Sequence, residues 1–565
     1  MTRPSSPDDG ASIPDAPLDP SRRRLLGGMA ATGAALAVGG YGAAARGTPP
    51  AGSHAPTALD AALREHIRQV VVIYAENRSF NNLFANFPGV EKPLNALKPA
   101  DYQQRDRDGS LLQTLPPIWH GLAPQAQVVN HRRYEVKQDD LVGLPNAPWA
   151  LRTGHGEPLP HGVVTRDLVH RFYENQQQIN GGRNDGFVAW GDTGAMVMGH
   201  YEDSASHLRL WQLARQYTLC DNFFMGAFGG SFLNHQYLVA AQPPYYPQAD
   251  QGPARFNIAV TASGDPLDHR LRLADDSPAS AMDGKPKFAS RSALTPDFWA
   301  VNTMSPPYAP SATESPSNAA LADPDSANTL PPQTHKTIGD VLSAANVDWA
   351  WYAGGWQLAL DGKGDGEQSE FPQRPNFQVH HQPLNYFKAF APGTEARVRH
   401  LRDAGTGDTA RDNHFLADIA ADRLPAVSFY KPQGDLNMHA GYSDVDAGDR
   451  HIMRVIDALQ KSPAWQQLLV IVTVDENGGW WDHVAPPKGD RWGPGSRVPA
   501  IIVSPFARKG HVDHTIYDSG SIARFLTRRF GLEKLPGLTL REQAMLAAGG
   551  PAPGDLTNAL HFGAA

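Results

Sequence analysis

The sequence predicts an α/β protein with a central, mostly parallel β-sheet flanked by helices. Five apolar segments rich in β-branched residues end abruptly in polar residues, as buried parallel strands do. Amphipathic segments lie between them, and the clearest carries apolar residues at helical spacing, namely Ile452, Val455, Ile456 and Leu459. Strands that alternate with amphipathic helices indicate α/β architecture, in which ligands bind beyond the carboxyl ends of the strands.

Each predicted strand can be read directly from the sequence. In chain order they are QVVVIYAENRSF at 69–80, VDWAWYA at 347–353, PAVSFYKP at 425–432, WQQLLVIVTVDENGG at 465–479 and VPAIIVSP at 498–505. A further strand-like segment, LCDNFF at 219–224, precedes a glycine-rich turn and a segment of helical character. Together these segments predict one central sheet.

The first 45 residues are predicted to be an export signal and no part of the fold. SRRRLLGG at 21–28 places paired arginines before a short apolar segment, and AAA at 43–45 offers small residues for cleavage. This pattern resembles a twin-arginine signal. The apolar segment is too short to span a bilayer comfortably. We therefore expect the twin-arginine machinery to export the chain to the periplasm or the medium, with no stable membrane span.

The remaining chain is predicted to be one catalytic domain with short extensions. We expect an exposed segment at 46–67, the catalytic domain at 68–544 and a surface tail at 545–565. Residues 243–332 hold 15 of the 48 prolines. This composition predicts a loop-rich insertion over one side of the site, and a flexible linker is the alternative.

Composition restricts the partners and the metal chemistry. The chain of 565 residues has a formal net charge of −8, which gives no support to a nucleic-acid or anionic-membrane binder. Small solutes are the expected partners. The single cysteine, Cys220, excludes an intrachain disulfide and a thiolate zinc cluster. Any metal site must therefore use oxygen and nitrogen ligands.

Polar pairs follow two of the predicted strands. Glu76 and Asn77 leave the first strand, and Asp475 and Glu476 leave the fourth. Three carboxylates and an amide at strand ends can converge on one cation. The alternative is that each pair caps the following turn. Because the two pairs occupy equivalent positions, we favour a metal site.

The segment GGSFLNH at 229–235 contains the candidate nucleophile. Ser231 precedes a predicted helix, where free backbone N–H groups and the helix dipole stabilise a phosphoryl oxygen. Plain N-capping is the alternative, because serine is among the best helix caps. Position 233 is Leu, so the segment does not match the G-x-S-x-G nucleophile elbow.

Histidines in polar, turn-rich segments form a further candidate set. They are His161, His380, His381 and His439. Imidazole can attract a phosphate dianion and can donate a proton to a leaving oxygen. Taken singly, each is more typical of a surface or core histidine.

Four motifs in order resemble one family. They are ENRSFNNLF, DNFFMGAFGGSFLNH, NMHAGYSDVDAGD and DENGGWWDHVAPP. They resemble the phosphoesterase family, which unites bacterial phospholipases C with acid phosphatases of the respiratory-burst-inhibiting type, in the alkaline-phosphatase-like superfamily. The similarity runs from about residue 68 to about 532 and implies an alkaline-phosphatase-like fold for the catalytic domain.

The resemblance also implies a metal site and a mechanism. One divalent metal ion would be held by Glu76, Asn77, Ser231, Asp475 and Glu476. Ser231 would attack phosphorus, and water would then hydrolyse the phosphoserine. The metal can be calcium, zinc, magnesium or manganese, because oxygen-rich ligands suit all four to differing degrees.

The family further implies phosphate binding by Asn77 and by the histidines His161, His380, His381 and His439, one of which would protonate the leaving group. Two substrate classes remain open. An acid phosphatase would hydrolyse monoesters, and the serine at position 231 is closer to that branch, since the phospholipases tend to carry threonine there. A phospholipase C would cleave phosphatidylcholine-like lipids with the same centre.

Aromatic residues expected near the site bear on the choice between the two substrate classes. Trp351, Tyr352, Trp356, Trp480 and Trp481 could cage a choline-like cation, and ordinary packing is the favoured alternative. A binding protein that has lost catalysis is disfavoured, because every matched position carries a competent residue.

Overall fold

A computed structural model describes residues 57–313, 315–362 and 377–563, apart from the side chains of two residues at 202 and 203. The predicted export signal at 1–45 lies outside the described residues. No helix within these ranges is long and apolar enough to cross a membrane.

The five strands predicted from the apolar segments all lie in one central sheet, and the structure contains further strands as well. The strands are β1 (Gln69–Ala75), β2 (Ala123–Val129), β3 (Arg132–Val136), β4 (Trp149–Ala150), β5 (Gly199–His200), β6 (Thr218–Cys220), β7 (Phe223–Phe224), β8 (Trp349–Ala353), β9 (Leu401–Asp403), β10 (Val427–Lys431), β11 (Leu468–Val474), β12 (Ala500–Val503), β13 (His511–Asp513) and β14 (Tyr517–Asp518). Eight of them form one sheet in the order β13-β6-β12-β11-β1-β10-β8-β9. Only β12 runs against its neighbours, so the predicted α/β class with a mostly parallel sheet is confirmed.

Helices flank the sheet. The α-helices are α1 (Ala58–His66), α2 (Phe80–Phe84), α3 (Pro99–Tyr102), α4 (Phe172–Ile179), α5 (Arg209–Gln216), α6 (Ser231–Ala240), α7 (Ile338–Ala344), α8 (Trp356–Leu360), α9 (Glu395–His400), α10 (His414–Ala420), α11 (Val445–Lys461), α12 (Gly520–Phe530) and α13 (Pro536–Ala547). The longest, α11, buries the four apolar residues that predicted it. Its charged face points to solvent, as expected of a surface helix.

Three adjacent strands at the centre of the sheet determine where the site forms. β11, β1 and β10 are parallel neighbours, and Ala75 of β1 lies in register with Val474 of β11. Their carboxyl ends therefore meet at one edge of the sheet. The residues that follow β1 and β11, and the last residue of β10, emerge side by side.

The second half of the segment expected to be exposed, 46–67, contains a helix with one buried face. Residues 58–66 form α1, which begins at a capping box made by Thr57 and Asp60. Leu63 and Ile67 are fully buried. Apolar residues at 59, 63 and 67 share one helix face, and burial of that face offsets the cost of ordering the segment.

The segment expected to be a surface tail, 545–565, is buried in part. Helix α13 continues to Ala547 across the predicted boundary, and Met545 is fully buried. Leu556 and Leu560 are also buried, and the backbone N–H of Arg508 donates to the carbonyl of residue 559 at 2.9 Å. Met545, Leu556 and Leu560 are therefore buried against the body of the protein, whereas Leu546 is exposed.

The proline-rich segment at 243–332 is packed onto the body of the protein. Its described part has short 3-10 turns at Ala249–Gln251 and Pro253–Asn257 and isolated β-bridges. Leu294 and Val301 are fully buried. Asn302 accepts a hydrogen bond from the backbone of α4 at 3.0 Å, which ties the segment to the edge of the cavity described below.

Candidate active site

The two acidic strand ends meet as predicted. Glu76 and Asn77 follow β1, and the Asn77 backbone N–H donates to Asp475 Oδ1 at 3.1 Å. Asn77 has a φ of 55°, a left-handed conformation that asparagine tolerates better than most residues. A Cβ at Gly478 would lie 2.5 Å from the Asn77 carbonyl oxygen, so the close approach of the two loops requires glycine there.

Ser231 lies at the centre of this group. It is the first residue of α6, and Gly230 occupies the N-cap position without a side-chain cap, so the capping alternative is wrong. The Ser231 Oγ lies 3.1 Å from Glu76 Oε2, 3.3 Å from Asn77 Oδ1 and 3.4 Å from Glu476 Oε1. A hydroxyl has a single proton, so it can satisfy only one of these three acceptor oxygens.

The surplus of acceptors fits a bound cation. Asp475 Oδ2 is buried without a hydrogen-bond partner. Burial, followed by the charge of Glu76, raises the pKa of Asp475 well above its usual range, and burial raises the pKa of Glu476 to about 7. Buried carboxylates of like charge are costly unless a cation compensates them. The five residues predicted to hold a metal therefore form an oxygen-rich set that suits a divalent ion.

His235 belongs to the same cluster and was not predicted. It lies one helical turn after Ser231, donates from Nδ1 to the Ser231 carbonyl at 2.8 Å and is 3.7 Å from Asp475 Oδ2. Potential ligand atoms of Glu76, His235 and Asp475 lie within 4.8 Å of one another. The signal was present in the sequence, because residues four apart share a helix face.

Lys431 is a second buried member that the sequence did not single out. It ends β10, is fully buried, and its Nζ contacts Glu76 Oε1 and lies 3.3 Å from the Ala75 carbonyl oxygen. Its strand was predicted, but its place beside β1 depends on the strand order. That order cannot be read from the segment itself.

A cavity of about 750 Å³ opens above Ser231. The imidazoles in its wall are His170, His380 and His439, and the other charged side chains are Arg166, Asp167, Arg171 and Asp192. Val301, Asn302 and Thr303 of the proline-rich segment form part of the wall. The cavity is therefore polar, its wall carries both acidic and basic side chains, and Ser231 forms part of that wall.

Three of the four predicted histidines lie at the site. His380 and His439 line the cavity and are each 5% exposed, and burial lowers the pKa of both. His381 lies behind them, with Nε2 2.9 Å from Glu76 Oε1. Its Nδ1 accepts a hydrogen bond from the Gln378 backbone at 3.3 Å, and burial lowers its pKa to about 4.

His161 is the exception among the predicted site residues. It does not line the cavity, its Nε2 is 3.1 Å from Ser204 Oγ, and burial lowers its pKa to about 4. Its carbonyl accepts the backbone N–H of Val445 at the start of α11. His161 therefore contributes to the fold, because its carbonyl accepts a backbone N–H at the start of α11.

His170 stands in the cavity wall instead. Its Nε2 lies 3.5 Å from Asn77 Nδ2 and 3.8 Å from Glu476 Oε1. Burial lowers its pKa, but Glu476 and Asp167 outweigh burial and raise the pKa to about 9. The imidazolium is therefore the stable form, which suits a phosphate ligand.

The aromatic residues considered for a choline cage are packing residues. All five are buried, and none lines the cavity. The indole N–H of Trp351 donates to the His381 carbonyl at 2.8 Å, and that of Trp481 to the Asn184 carbonyl at 2.8 Å. Within the described residues, the aromatic side chains of the cavity wall are Phe232 and Tyr442.

A mostly parallel sheet with a serine hydroxyl among carboxylates at its carboxyl edge suits an α/β enzyme with a serine nucleophile. The chain belongs to the phosphoesterase family, whose model matches residues 67–533. Phospholipase C A of Mycobacterium tuberculosis is 24% identical over 529 residues, 88% of this chain and 77% of that protein. Non-hemolytic phospholipase C of Pseudomonas aeruginosa is 28% identical over 261 residues, 40% of this chain and 33% of that protein.

This chain therefore matches about one third of the length of the Pseudomonas relative. Among solved structures, a protein of the alkaline phosphatase superfamily from Vibrio parahaemolyticus is similar with a TM-score of 0.30 and 11% identity, over 65% of this chain and 66% of that one. The protein is a hydrolase that acts on phosphoric ester bonds.

Proposed function

We propose that the protein hydrolyses phosphate monoesters by transfer of the phosphoryl group to Ser231. The observation that carries this proposal is the convergence of Glu76, Asn77 and Glu476 on the serine hydroxyl, within 3.4 Å. This arrangement exceeds what one hydroxyl proton can satisfy and fits a nucleophile held beside a cation.

The reaction would proceed in two displacements. The Ser231 hydroxyl gives its proton to one of the carboxylates that face it, Glu76 or Glu476, and its oxygen attacks phosphorus. The bond to the leaving oxygen breaks as a cavity histidine, His380 or His439, protonated beside the phosphate dianion, donates a proton to that oxygen. Water then attacks the phosphoserine and gives a proton to the same histidine, and the serine oxygen regains its proton as inorganic phosphate is released. Glu76, Asn77, Asp475 and Glu476 would hold one divalent metal, which supplies Lewis acidity and charge neutralisation when bound.

The cavity wall supports monoesters as the first choice. His170 lines the cavity, and its Nε2 lies 3.5 Å from Asn77 Nδ2, so a phosphate dianion above the serine would accept a hydrogen bond from each. Asp167 and Asp192 at the wall would disfavour a second negative group on the leaving moiety and welcome a hydroxylated or cationic one.

A phospholipase C is the second candidate, supported by the names of the relatives. A smaller cavity of about 230 Å³ shares Arg166, Asp167 and Gly441 with the main one. Pro124 and Val164 give it apolar walls. An apolar part of a lipid would gain free energy by burial there.

The test is hydrolysis of p-nitrophenyl phosphate and of phosphatidylcholine by one preparation between pH 4 and 8. We expect turnover of the monoester to exceed that of the lipid. Diester-only activity would establish the phospholipase, and no activity on either substrate would contradict the proposal. Ser231→Ala should lose at least about 10³-fold in kcat with an unchanged melting temperature, whereas retained turnover would remove Ser231 from its role.

Metal dependence is the second expectation of the proposal. Chelation followed by dialysis should abolish turnover, because the carboxylates around Ser231 would then lack their counter-charge. Addition of Ca²⁺, Mg²⁺, Mn²⁺ or Zn²⁺ should restore turnover to differing degrees. Full activity after exhaustive chelation would contradict the metal site.

We also propose export by the twin-arginine machinery, on the strength of the motif at 21–28. Fractionation of producing cells should place the chain outside the cytoplasm. Replacement of both Arg23 and Arg24 by Lys should retain it inside.

A further inference from the structure

Lys431 stands out because nothing in the catalytic scheme above uses it. It is a fully buried ammonium group in a region where an unpaired charge is costly. Its Nζ contacts Glu76 Oε1, and the Ala75 carbonyl oxygen lies 3.3 Å away. The Tyr74 ring is 5.5 Å from the same nitrogen. The ammonium group is therefore held on three sides by β1.

The charges around it can be counted. Glu76, Asp475 and Glu476 are fully buried carboxylates. Glu76 and Glu476 contact the Ser231 hydroxyl, and Asp475 accepts the backbone N–H groups of Asn77 and Glu476. Among the lysines and arginines that the structure describes, Lys431 makes the ion pair with this group, through Glu76. When all three carboxylates are ionised around a metal, their three negative charges and the one positive charge of Lys431 give a net charge of −2, which one divalent cation would neutralise.

The neighbouring histidines do not alter this balance. The Nδ1 of His381 accepts a backbone hydrogen bond, so that nitrogen carries no proton and the ring is neutral. His235 donates from Nδ1, and its buried Nε2 has no acceptor, so a second proton would be unsatisfied. His170 has a counter-charge of its own outside the three carboxylates, because Asp167 Oδ1 lies 3.7 Å from its Nδ1.

Arg78 directly follows Glu76 and Asn77 in the sequence and is also a buried cation. Its guanidinium contacts other groups. Its guanidinium donates to the Met438 carbonyl at 3.0 Å and to Asn82 Oδ1 at 3.3 Å. It makes no described ion pair with the three carboxylates. Lys431 is therefore the group that sets their net charge.

We infer that Lys431 is a positioning residue that fixes Glu76 and makes the site select divalent over trivalent cations. This inference rests on the proposed metal site. Because Lys431 contacts one oxygen of Glu76 while Ser231 contacts the other, it also orients the carboxylate towards the serine. A trivalent ion would leave one uncompensated positive charge in the interior, where Coulomb energies are large.

The test compares the affinities of metal-free protein for Mn²⁺ and for Tb³⁺, measured by isothermal titration. The ammonium repels a trivalent ion more strongly than a divalent one. Lys431→Met should therefore raise the ratio of Tb³⁺ affinity to Mn²⁺ affinity by about tenfold or more. Lys431→Arg, which keeps the charge, should leave that ratio within about threefold of wild type.

The ratio separates charge selection from simple loss of structure, because a damaged site would weaken both ions together. Arg497→Met is the matched control: Arg497 is also a buried cation, 3.0 Å from Asp482, and its loss should leave the ratio unchanged. If Lys431→Met does not fold, Lys431→Gln also removes the charge and should shift the ratio in the same direction.

Two outcomes would overturn the inference. A ratio in the folded Met or Gln variant within threefold of wild type would refute charge selection by Lys431 while the proposed function stands. No binding of Mn²⁺ by the wild-type protein would instead contradict the metal-dependent function, and the role of Lys431 with it. Turnover of p-nitrophenyl phosphate does not enter either comparison.

Discussion

His170 gives the cavity a fixed positive charge next to Ser231. The carboxylates of Glu476 and Asp167 hold its pKa near 9 in spite of burial, and it lies in the cavity wall. A phosphate dianion accepts strong hydrogen bonds from an imidazolium. His170 is therefore better placed to bind phosphate than His161, which does not line the cavity.

The two histidines allow a paired test. His170→Gln should raise the inhibition constant of inorganic phosphate by about tenfold or more, since a charge-assisted hydrogen bond contributes about 1.5 to 3 kcal/mol. His161→Gln should leave that constant within about twofold. Competitive inhibition assays against p-nitrophenyl phosphate give both values, and an equal effect of the two variants would contradict the assignment.

The sequence predicted the acidic residues around Ser231 but not the cationic residues beside them. Glu76 and Asp475 are polar residues that directly follow apolar strands, and this pattern can be recognised from the local sequence. Lys431 also ends a predicted strand, but its meaning depends on which strand is its neighbour. His170 occurs in a segment without periodicity, so only the folded contact with Asn77 reveals it.

The turn before α6 brings that segment to the nucleophile. Gly229 has a φ of 91°, a conformation that favours glycine. A Cβ at Gly230 would lie 2.5 Å from the His170 carbonyl oxygen. The two glycines therefore let α6 start in direct contact with the chain that carries His170.

Gly230→Ala should push these two segments apart. We expect a loss of about 1 to 3 kcal/mol in the free energy of unfolding, as for other overpacked sites, together with weaker phosphate binding. Gly252→Ala is the control, because a Cβ there meets nothing within 4 Å and should change stability little. Denaturant titrations measure both variants, and a neutral Gly230→Ala would show that the backbone accommodates the extra atom.

The elements of the sheet differ in how far the sequence reveals them. Long apolar strands such as β1 and β11 were predicted because seven residues suffice to show a pattern. β9 and β13 have three residues each, too few for any periodicity. β9 pairs with β8 and β13 pairs with β6. These pairings depend on the neighbouring strand and not on a pattern in the short strand itself.

Burial of neutral histidines makes the stability of the protein depend on pH. Burial lowers the pKa of His335 to about 4, and its ring packs on Phe387 with centroids 4.9 Å apart. An unfolded histidine has a pKa near 6.5. Between these values the unfolded chain binds a proton that the folded chain does not, so stability falls as the pH is lowered.

We therefore expect the melting temperature to fall between pH 6.5 and pH 4. His335→Gln removes one such group, and the decrease over this interval should be smaller by roughly 1 to 3 °C. Scanning calorimetry or fluorescence melts across the interval measure the slopes. Identical slopes in the variant and the wild type would show that other groups dominate the acid response.

The order in which the sheet is made along the chain has a consequence for synthesis in the cell. β1 lies between β10 and β11, and the bond that joins Asn77 to Asp475 spans 398 positions. At about 5 to 20 residues per second, the apolar strand β1 leaves the ribosome roughly 20 to 80 seconds before its partner. Until then an unpaired, aggregation-prone edge must be shielded, and no nascent fragment that ends before residue 475 can assemble the site.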